Sequence, residues 1–364
     1  MTRARARLAL REAVRFHLFD PNVGLIDFGH PEHDGRIAED QLAIRIHVRK
    51  KLTDIALEAA VAAGYTRPIP AMIGGFPTDV PEGVYHLHVW SWRPKPWASP
   101  AGAPTAHANP LRGGVSISDE YHIAAGTLGG KVIDRTTGAE MILSNWHVLV
   151  ADWSAQPGQR VEQPGRLDGG ALADTVAALT RDAMAANLDA AVATLDGSRP
   201  LINDQLGLGA IVGVGRAELG MELVKSGRTT GVTYARVTAV EGTAKIAYGT
   251  VERVIRQVIT IEPDMGSGQV SAPGDSGSLW LDAATMRAIG LHFAGSDMPE
   301  RALALDMPSV LDALNVDIAT GREAALAPQI DSFPRRSWAA LQPGDGALRA
   351  SRREPQIPET AVWR

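Results

Sequence analysis

The sequence predicts a mostly β protein: two packed antiparallel β-barrels preceded by a small α+β unit. Three observations carry that expectation. From about Gly113 onward the apolar stretches are short, β-branched and divided by Gly, Asp and Pro turns, which is how packed barrels read. The first 90 residues instead alternate strand and helix periods, as a small α+β layer does. Between the two, from about Ser91 to Leu111, Pro, Ala and Trp abound, which prevents regular pairing and favours an extended connection. The expected organisation is therefore an accessory α+β domain over 1–90, a linker over 91–111, a barrel unit over 112–316 and a mobile tail over 317–364.

Taken in order, Met1 to Arg15 is basic and helical in flavour, and Arg7, Arg11 and Glu12 interrupt any apolar core of signal-peptide length. Val23 to Phe28 and Leu42 to Val48 read as strands. In the second, Leu42, Ile44, Ile46 and Val48 share one face and Arg45, His47 and Arg49 the other. Thr53 caps a helix running from Ile55 to Ala63, and Gly64 ends it. A strand at Val84 to Val89 leads into the linker, where Trp90, Trp92 and Trp97 are expected to pack over the barrels. Strand signals follow at Gly113 to Ile117, Gly130 to Ile133, Met141 to Leu143, Arg236 to Val240 and Val254 to Ile261. Pro308 to Leu314 forms a closing helix, and no sustained period follows Val316.

Composition narrows the function classes. Of 364 residues 45% are hydrophobic and 21% charged, ordinary for a soluble globular protein, and a formal net charge of −5 draws neither nucleic acid nor an anionic membrane from a distance. No segment approaches the roughly 20 apolar residues of a membrane span. Cysteine is absent, which excludes disulfides, cysteine nucleophiles and thiolate metal sites and fits a reducing compartment, so cytoplasmic residence is expected. His30-Pro31-Glu32-His33-Asp34 gathers imidazoles and carboxylates, but Pro31 and Gly35 make it a turn, and no metal or cofactor is expected.

The chemistry concentrates in Gly274-Asp275-Ser276-Gly277-Ser278. A serine hydroxyl is nearly inert at neutral pH and needs a base beside it and donors for the oxyanion that forms when it attacks. Ser276 is the candidate nucleophile. His147, delivered at the end of the apolar strand Leu143-Ser144-Asn145-Trp146-His147, is the candidate base. Asp189 opens the small and β-branched run Ala190 to Leu195, so it is expected to be buried, where a carboxylate fixes the imidazole tautomer. Asp152, Asp168, Asp174 and Asp182 compete for that role but sit in polar or turn-like contexts. The order is His, Asp, Ser, separated by roughly 40 and then roughly 90 residues.

These motifs resemble a chymotrypsin-fold serine protease of bacterial type over residues from about 124 to about 316. The segment Lys225-Ser226-Gly227-Arg228-Thr229-Thr230-Gly231 is similar to one in alpha-lytic protease and its bacterial relatives. That resemblance implies that Arg228 faces Asp275 and that the backbone N–H groups of Gly274 and Ser276 hold the oxyanion. No Ile-Val-Gly-Gly sequence occurs, which implies a site formed without cleavage at a trypsin-style activation position. It also implies a substrate pocket with Val270 at its floor and Gly295 on its wall. Val270 cannot neutralise a buried cation, so cleavage after Lys or Arg is disfavoured. Ser271 and His292 fall on positions that glutamate-specific bacterial proteases and picornaviral cysteine proteases use, implying Glu or Gln before the cut bond, with small apolar residues as the competitor. Leu42 to Val48, Ile69-Pro70 and Thr78-Asp79-Val80 are similar to the leading segment of bacterial trypsin-like peptidases related to the plant narrow-leaf protein.

The expected function is a serine endopeptidase acting on protein or peptide substrates. A catalytically silent binding protein of the same fold and an esterase with the same triad are the alternatives. The amino-terminal unit is expected either to occupy or border the cleft, or to be a scaffold for a partner.

Overall fold

Short strands ended by glycines and Asp turns assemble into two large, mostly antiparallel sheets. The computed structural model describes residues 3–33, 36–38, 40–88, 90–91, 102–263 and 268–320. Trp92, Trp97 and the expected tail from residue 321 on lie outside them.

The first sheet has nine strands in the order Val316–Ile318, Gly130–Asp134, Glu140–Ser144, Ala191–Leu195, Thr175–Asp182, Arg160–Glu162, Ser116–Asp119, Ala124–Thr127 and Trp90–Ser91. Ile117, Val132, Ile142, Val161, Val176 and Val192 point inward and are buried; each such side chain stabilises by about 1.5–3 kcal/mol. Val316–Ile318 pairs with Gly130–Asp134, so ordered barrel backbone continues past the boundary expected at 316.

The second barrel runs Glu222–Gly227, Leu279–Asp282, Arg287–Asp297, Glu300–Asp306, Val251–Glu262, Gly231–Tyr248, and closes because the last of these pairs back onto the first. Closure leaves no raw edge within the ring. The hairpin 231–262 is longer than the barrel needs, however, and its far half presents an edge. Val23–Gly29 covers it, with Leu25 opposite Ala244 and Gly29 opposite Ala239. Ala43–Val48, Phe76–Asp79 and Met72–Ile73 then extend the same sheet. The helix Arg3–His17 lies over this extension and buries Ala6, Ala9, Leu10 and Ala13 against Ile26, Ile44, Ile46 and Phe76. The amino-terminal residues thus keep a hydrophobic cluster of their own, yet their backbone continues the second barrel.

The alternation in 42–48 points to one wet face, but Ala43–Val48 is buried on both. Its charged face is paired, not solvated. Arg45 donates twice to Asp27, at 2.7 and 2.9 Å, and Thr260 of the barrel donates to the same carboxylate at 2.6 Å. His47 Nε2 lies 3.4 Å from Asp27, and its Nδ1 is 2.6 Å from the Tyr85 hydroxyl. Burial pushes the Asp27 carboxyl upward, but Arg45 and His47 outweigh it and hold it well below the usual range. Burial brings the His47 imidazole down to about 4. Arg301 adds bonds to Glu32 at 2.5 Å and Glu262 at 3.2 Å, tying the layer to the barrel from a second side.

Thr53 caps the helix Asp54–Ala62 as expected, and Gly64 follows with φ +73°, but this helix buries none of its residues. Met307–Leu314 is the closing helix, capped by Asp306. No helix among the described residues is long and apolar enough to cross a membrane.

Candidate active site

Glu140–Ser144 carries the chain to His147, which sits on a single helical turn, Trp146–Leu149, and not at the strand end itself. The neighbouring strand Ala191–Leu195 pairs Ala191 with Ser144, so Asp189 arrives beside that turn. Asn145 Nδ2 fixes the approach by donating to the Asp189 carbonyl at 2.6 Å. His147 Nδ1 lies 2.5 Å from Asp189 Oδ2, and the His147 backbone N–H donates to Oδ1 at 3.1 Å. An ionised carboxylate only accepts, so Nδ1 carries the proton and Nε2 is left as the basic nitrogen. That Nε2 is buried with no hydrogen-bond partner.

A third donor to Asp189 comes from Tyr248, at the tip of the hairpin 231–262, whose hydroxyl is 2.7 Å from Oδ2. Burial, and then the Asp189 charge, push this phenol well above its ordinary range, so it stays a donor. Nothing local in the sequence marks Tyr248.

Ser276 lies on the loop ahead of Leu279–Asp282, held against the first barrel by Thr127. The Thr127 N–H donates to the Ser276 carbonyl at 2.7 Å, and its hydroxyl donates to the Gly274 carbonyl at 2.8 Å. Gly126 is the seam: a Cβ there would lie 2.5 Å from Val148, next to His147, and 3.0 Å from the Ser276 carbonyl. Gly274 has φ +99° and Gly277 φ +95°, and a Cβ on them would strike Thr229 Oγ1 at 2.3 Å and Ser144 Oγ at 2.1 Å. Both positions require glycine for conformation and for space. The Ser276 side chain is fully buried, and its hydroxyl donates to the Phe293 carbonyl at 3.2 Å. The structure thus joins His147 to Asp189 directly and brings Ser276 to the adjoining seam. Among the described contacts there is no hydrogen bond between Ser276 and His147.

The pairing of Arg228 with Asp275 is corrected. Asp275 is bound by Lys225 Nζ at 2.9 Å and the Thr230 hydroxyl at 2.6 Å, and by the N–H groups of Thr229, Thr230 and Ala272. The bare Gly227 makes room, since a Cβ there would sit 2.3 Å from the carboxylate. Arg228 instead grips Asp168 with two bonds, at 2.7 and 2.5 Å, in the loop 163–170. The physical reason is reach: Lys225 is on the strand and points inward over the Trp280 ring, whereas Arg228 follows Gly227 into the turn and faces outward to that loop. Arg228 still supports the site, because Nη1 lies 3.1 Å from where a Gly274 Cβ would be. Burial pushes Asp275 upward, but Lys225 and the Thr230 hydrogen bonds hold it below the ordinary carboxylate range; burial also lowers Lys225, against the pull of Asp275.

Of the expected pocket residues, Val270 packs into the hydrophobic cluster of Val237, Trp280 and Ile289. Ser271 Oγ is buried with no partner. His292 is fully buried: Trp280 Nε1 donates to its Nδ1 at 3.4 Å, and its Nε2 is 3.1 Å from His88 Nδ1. Burial first, then the neighbouring His88 and Lys225, lower His292 well below the histidine range. A Cβ on Gly295 would come within 2.4 Å of His88 Cε1. His88 was not foreseen; its stretch reads only as a strand.

One group among the described residues could hold a metal ion: His86, His88 and Asp297, whose ligand atoms lie within 4.8 Å of one another. In the stretch 30–33, where Glu32–His33 is a short strand, His30 Nδ1 meets the Gln41 carbonyl and Glu32 meets Arg301, so those two groups are engaged elsewhere.

No family model matches the chain, and no curated protein is similar to it. Solved structures do match. Cellulomonas bogoriensis chymotrypsin is 18% identical over 58% of this chain and 99% of that one, with a TM-score of 0.43. Thermobifida fusca protease A is 15% identical over 58% and 99%, with a TM-score of 0.44. A glutamic acid specific serine protease that uses a histidine triad in substrate binding is 22% identical over 57% and 100%, with a TM-score of 0.43.

Proposed function

We propose that this chain is a serine endopeptidase. The observation that carries the reading is the 2.5 Å bond from His147 Nδ1 to a fully buried Asp189, which leaves Nε2 basic and unpartnered beside the loop of Ser276. Ser276 Oγ attacks the substrate carbonyl, His147 Nε2 takes its proton and later returns it to the leaving amine, and Asp189 stabilises the imidazolium in between. The N–H groups of Gly274 and Ser276 stabilise the oxyanion, each by about 3 to 4 kcal/mol. Lys225 keeps Asp275 neutralised, and so shapes the Gly274 to Ser276 backbone without a newly released amino terminus.

The pocket is read as polar. With Trp280 donating to Nδ1, His292 presents an Nε2–H donor, and the Ser271 hydroxyl, on the stretch leading to Ser276, is buried and unpartnered. Both suit the side-chain oxygen of Glu or Gln before the cut bond; small apolar residues remain the competitor.

Exchange of Ser276 for Ala tests the reading. The variant should fold as the parent does and lose peptide hydrolysis by roughly 10⁴-fold or more. Hydrolysis at the parent rate would refute the assignment.

A further inference from the structure

We propose that the segment His86-Leu87-His88 lies in this cleft as the chain's own first substrate, and that the enzyme cuts itself on the carboxyl side of His88. The proposal rests on the reading of Ser276 as nucleophile. Three observations carry it.

The first is backbone register. His86–Leu87 adds an antiparallel strand to Arg287–Asp297, with Leu87 opposite Ala294 and His86 opposite Gly295. The His88 N–H donates to the Phe293 carbonyl at 3.3 Å, the same oxygen that accepts the Ser276 hydroxyl at 3.2 Å. Nucleophile and segment therefore share one acceptor. The Gly274 N–H, the group assigned to the oxyanion, donates to the His88 carbonyl at 2.6 Å. A carbonyl polarised by that donor is the one set up for attack.

The second is the side chain. His88 is buried, its ring lies against the bare Cα of Gly295, and its Nδ1 faces His292 Nε2 at 3.1 Å. With Trp280 fixing the His292 tautomer, His88 Nδ1 is the acceptor, as the side-chain oxygen of Glu or Gln would be. The residue fills the expected specificity pocket in the protonation state that the pocket demands.

The third is the path of the chain. Residues 86–88 pair with the second barrel, whereas Trp90–Ser91 pairs with Ala124–Ala125 of the first. The pairings on either side of the His88–Val89 bond therefore belong to different barrels, as those of a bound peptide would on either side of its scissile bond. Coverage by this segment also accounts for a nucleophile with no exposed surface.

The step balances with water alone. Ser276 Oγ bonds to the His88 carbonyl carbon, its proton passes to His147 Nε2, and the bond to the Val89 nitrogen breaks as that nitrogen receives the proton. Water then hydrolyses the His88–Ser276 ester, leaving a carboxylate on His88 and restoring the hydroxyl. Residues 1–88 stay in place afterwards, because Val23–Gly29 remains paired with the hairpin, Thr260 with Asp27 and Arg301 with Glu32.

The test follows the full-length chain by intact mass and amino-terminal sequencing at two protein concentrations, alongside Ser276→Ala and His88→Arg, each also exposed to a fluorophosphonate. The wild-type chain should split between His88 and Val89 with the gain of one water, at a rate independent of concentration. Ser276→Ala should split at least roughly 10⁴-fold more slowly. His88→Arg should stay whole, since the pocket has no partner for a cation, and should take up the label because its cleft is vacated. A wild-type chain that stays whole while His88→Arg is labelled would overturn self-cleavage and leave the endopeptidase reading standing. Splitting at another bond, or splitting of Ser276→Ala at the wild-type rate, would also overturn it. If His88→Arg and the wild type both resist the label, the reading of Ser276 falls and the proposal with it.

Discussion

Two carboxylates in this molecule, Asp27 and Asp275, are both fully buried beside a single buried cation, yet they do different work. Asp27 meets the planar fork of Arg45 on the neighbouring strand of its own layer, with His47 and the barrel's Thr260 completing its shell, and all of these partners are side chains. Asp275 meets the point charge of Lys225 and spends much of its remaining capacity on three backbone N–H groups, those of Thr229 and Thr230 in the facing turn and of Ala272 ahead of Ser276. The first pair docks a layer; the second fixes a main-chain shape. A buried ion pair costs desolvation either way, so what retains it must be sought in what the carboxylate holds.

The largest effect should separate them. On the His88→Arg background, where the cleft is open, Asp275→Ala strands Lys225 and three N–H groups, costing about 3 to 5 kcal/mol of stability and slowing fluorophosphonate uptake by about 100-fold or more. Asp27→Ala on the same background should cost a similar amount, because it takes from Arg45 its two closest bonds, yet its folded fraction should take up the label as fast as His88→Arg alone. Urea titration and labelling kinetics on both variants would measure this, and equal loss of labelling in both would erase the distinction.

A second effect sharpens it through pH. His47, beside Asp27, is held neutral by burial, its pKa brought from 6.5 down to about 4. As pH falls, the unfolded chain binds a proton near 6.5 while the folded chain does not until about 4. The stability is therefore complete above 6.5 and is lost as pH drops from 6.5 through 4, by up to about 3 kcal/mol. Urea midpoints across that window should fall more steeply for the parent than for His47→Gln; parallel slopes would contradict the assignment.

The smallest effect is expected at the tip of the second barrel's hairpin. Tyr248→Phe removes one of three donors to Asp189 and should slow turnover by about tenfold, with little change in stability. Unchanged turnover would mean the hydroxyl is structural only.

How far the sequence was legible follows the same division. The meeting of His147 with Asp189, and the place of Ser276 on a glycine-flanked loop, could be read because an apolar strand, a small-residue run and paired glycines mark them locally. The short turn-divided strands likewise announced barrels. Pairings between distant segments could not be read. Lys225 and Arg228 belong to one motif, and which of them meets Asp275 depends on where the loop of Asp168 comes to rest. Tyr248 reaches Asp189 only because the hairpin is long. Arg45 and His47 looked like a solvated strand face because, in a sequence, paired charges and wet charges alternate identically. His88 looked like an unremarked strand residue, since its meaning lies in the Phe293 carbonyl that accepts its N–H and the Gly274 N–H that donates to its carbonyl.

The central claim is that Ser276 is the hydroxyl His147 activates. Peptide mapping of a fluorophosphonate adduct tests it most directly, on the His88→Arg chain, where the cleft is expected to be open. One adduct on Ser276, lost when His147 is replaced by Ala, is the predicted result; an adduct on another residue, or one indifferent to His147, would contradict it.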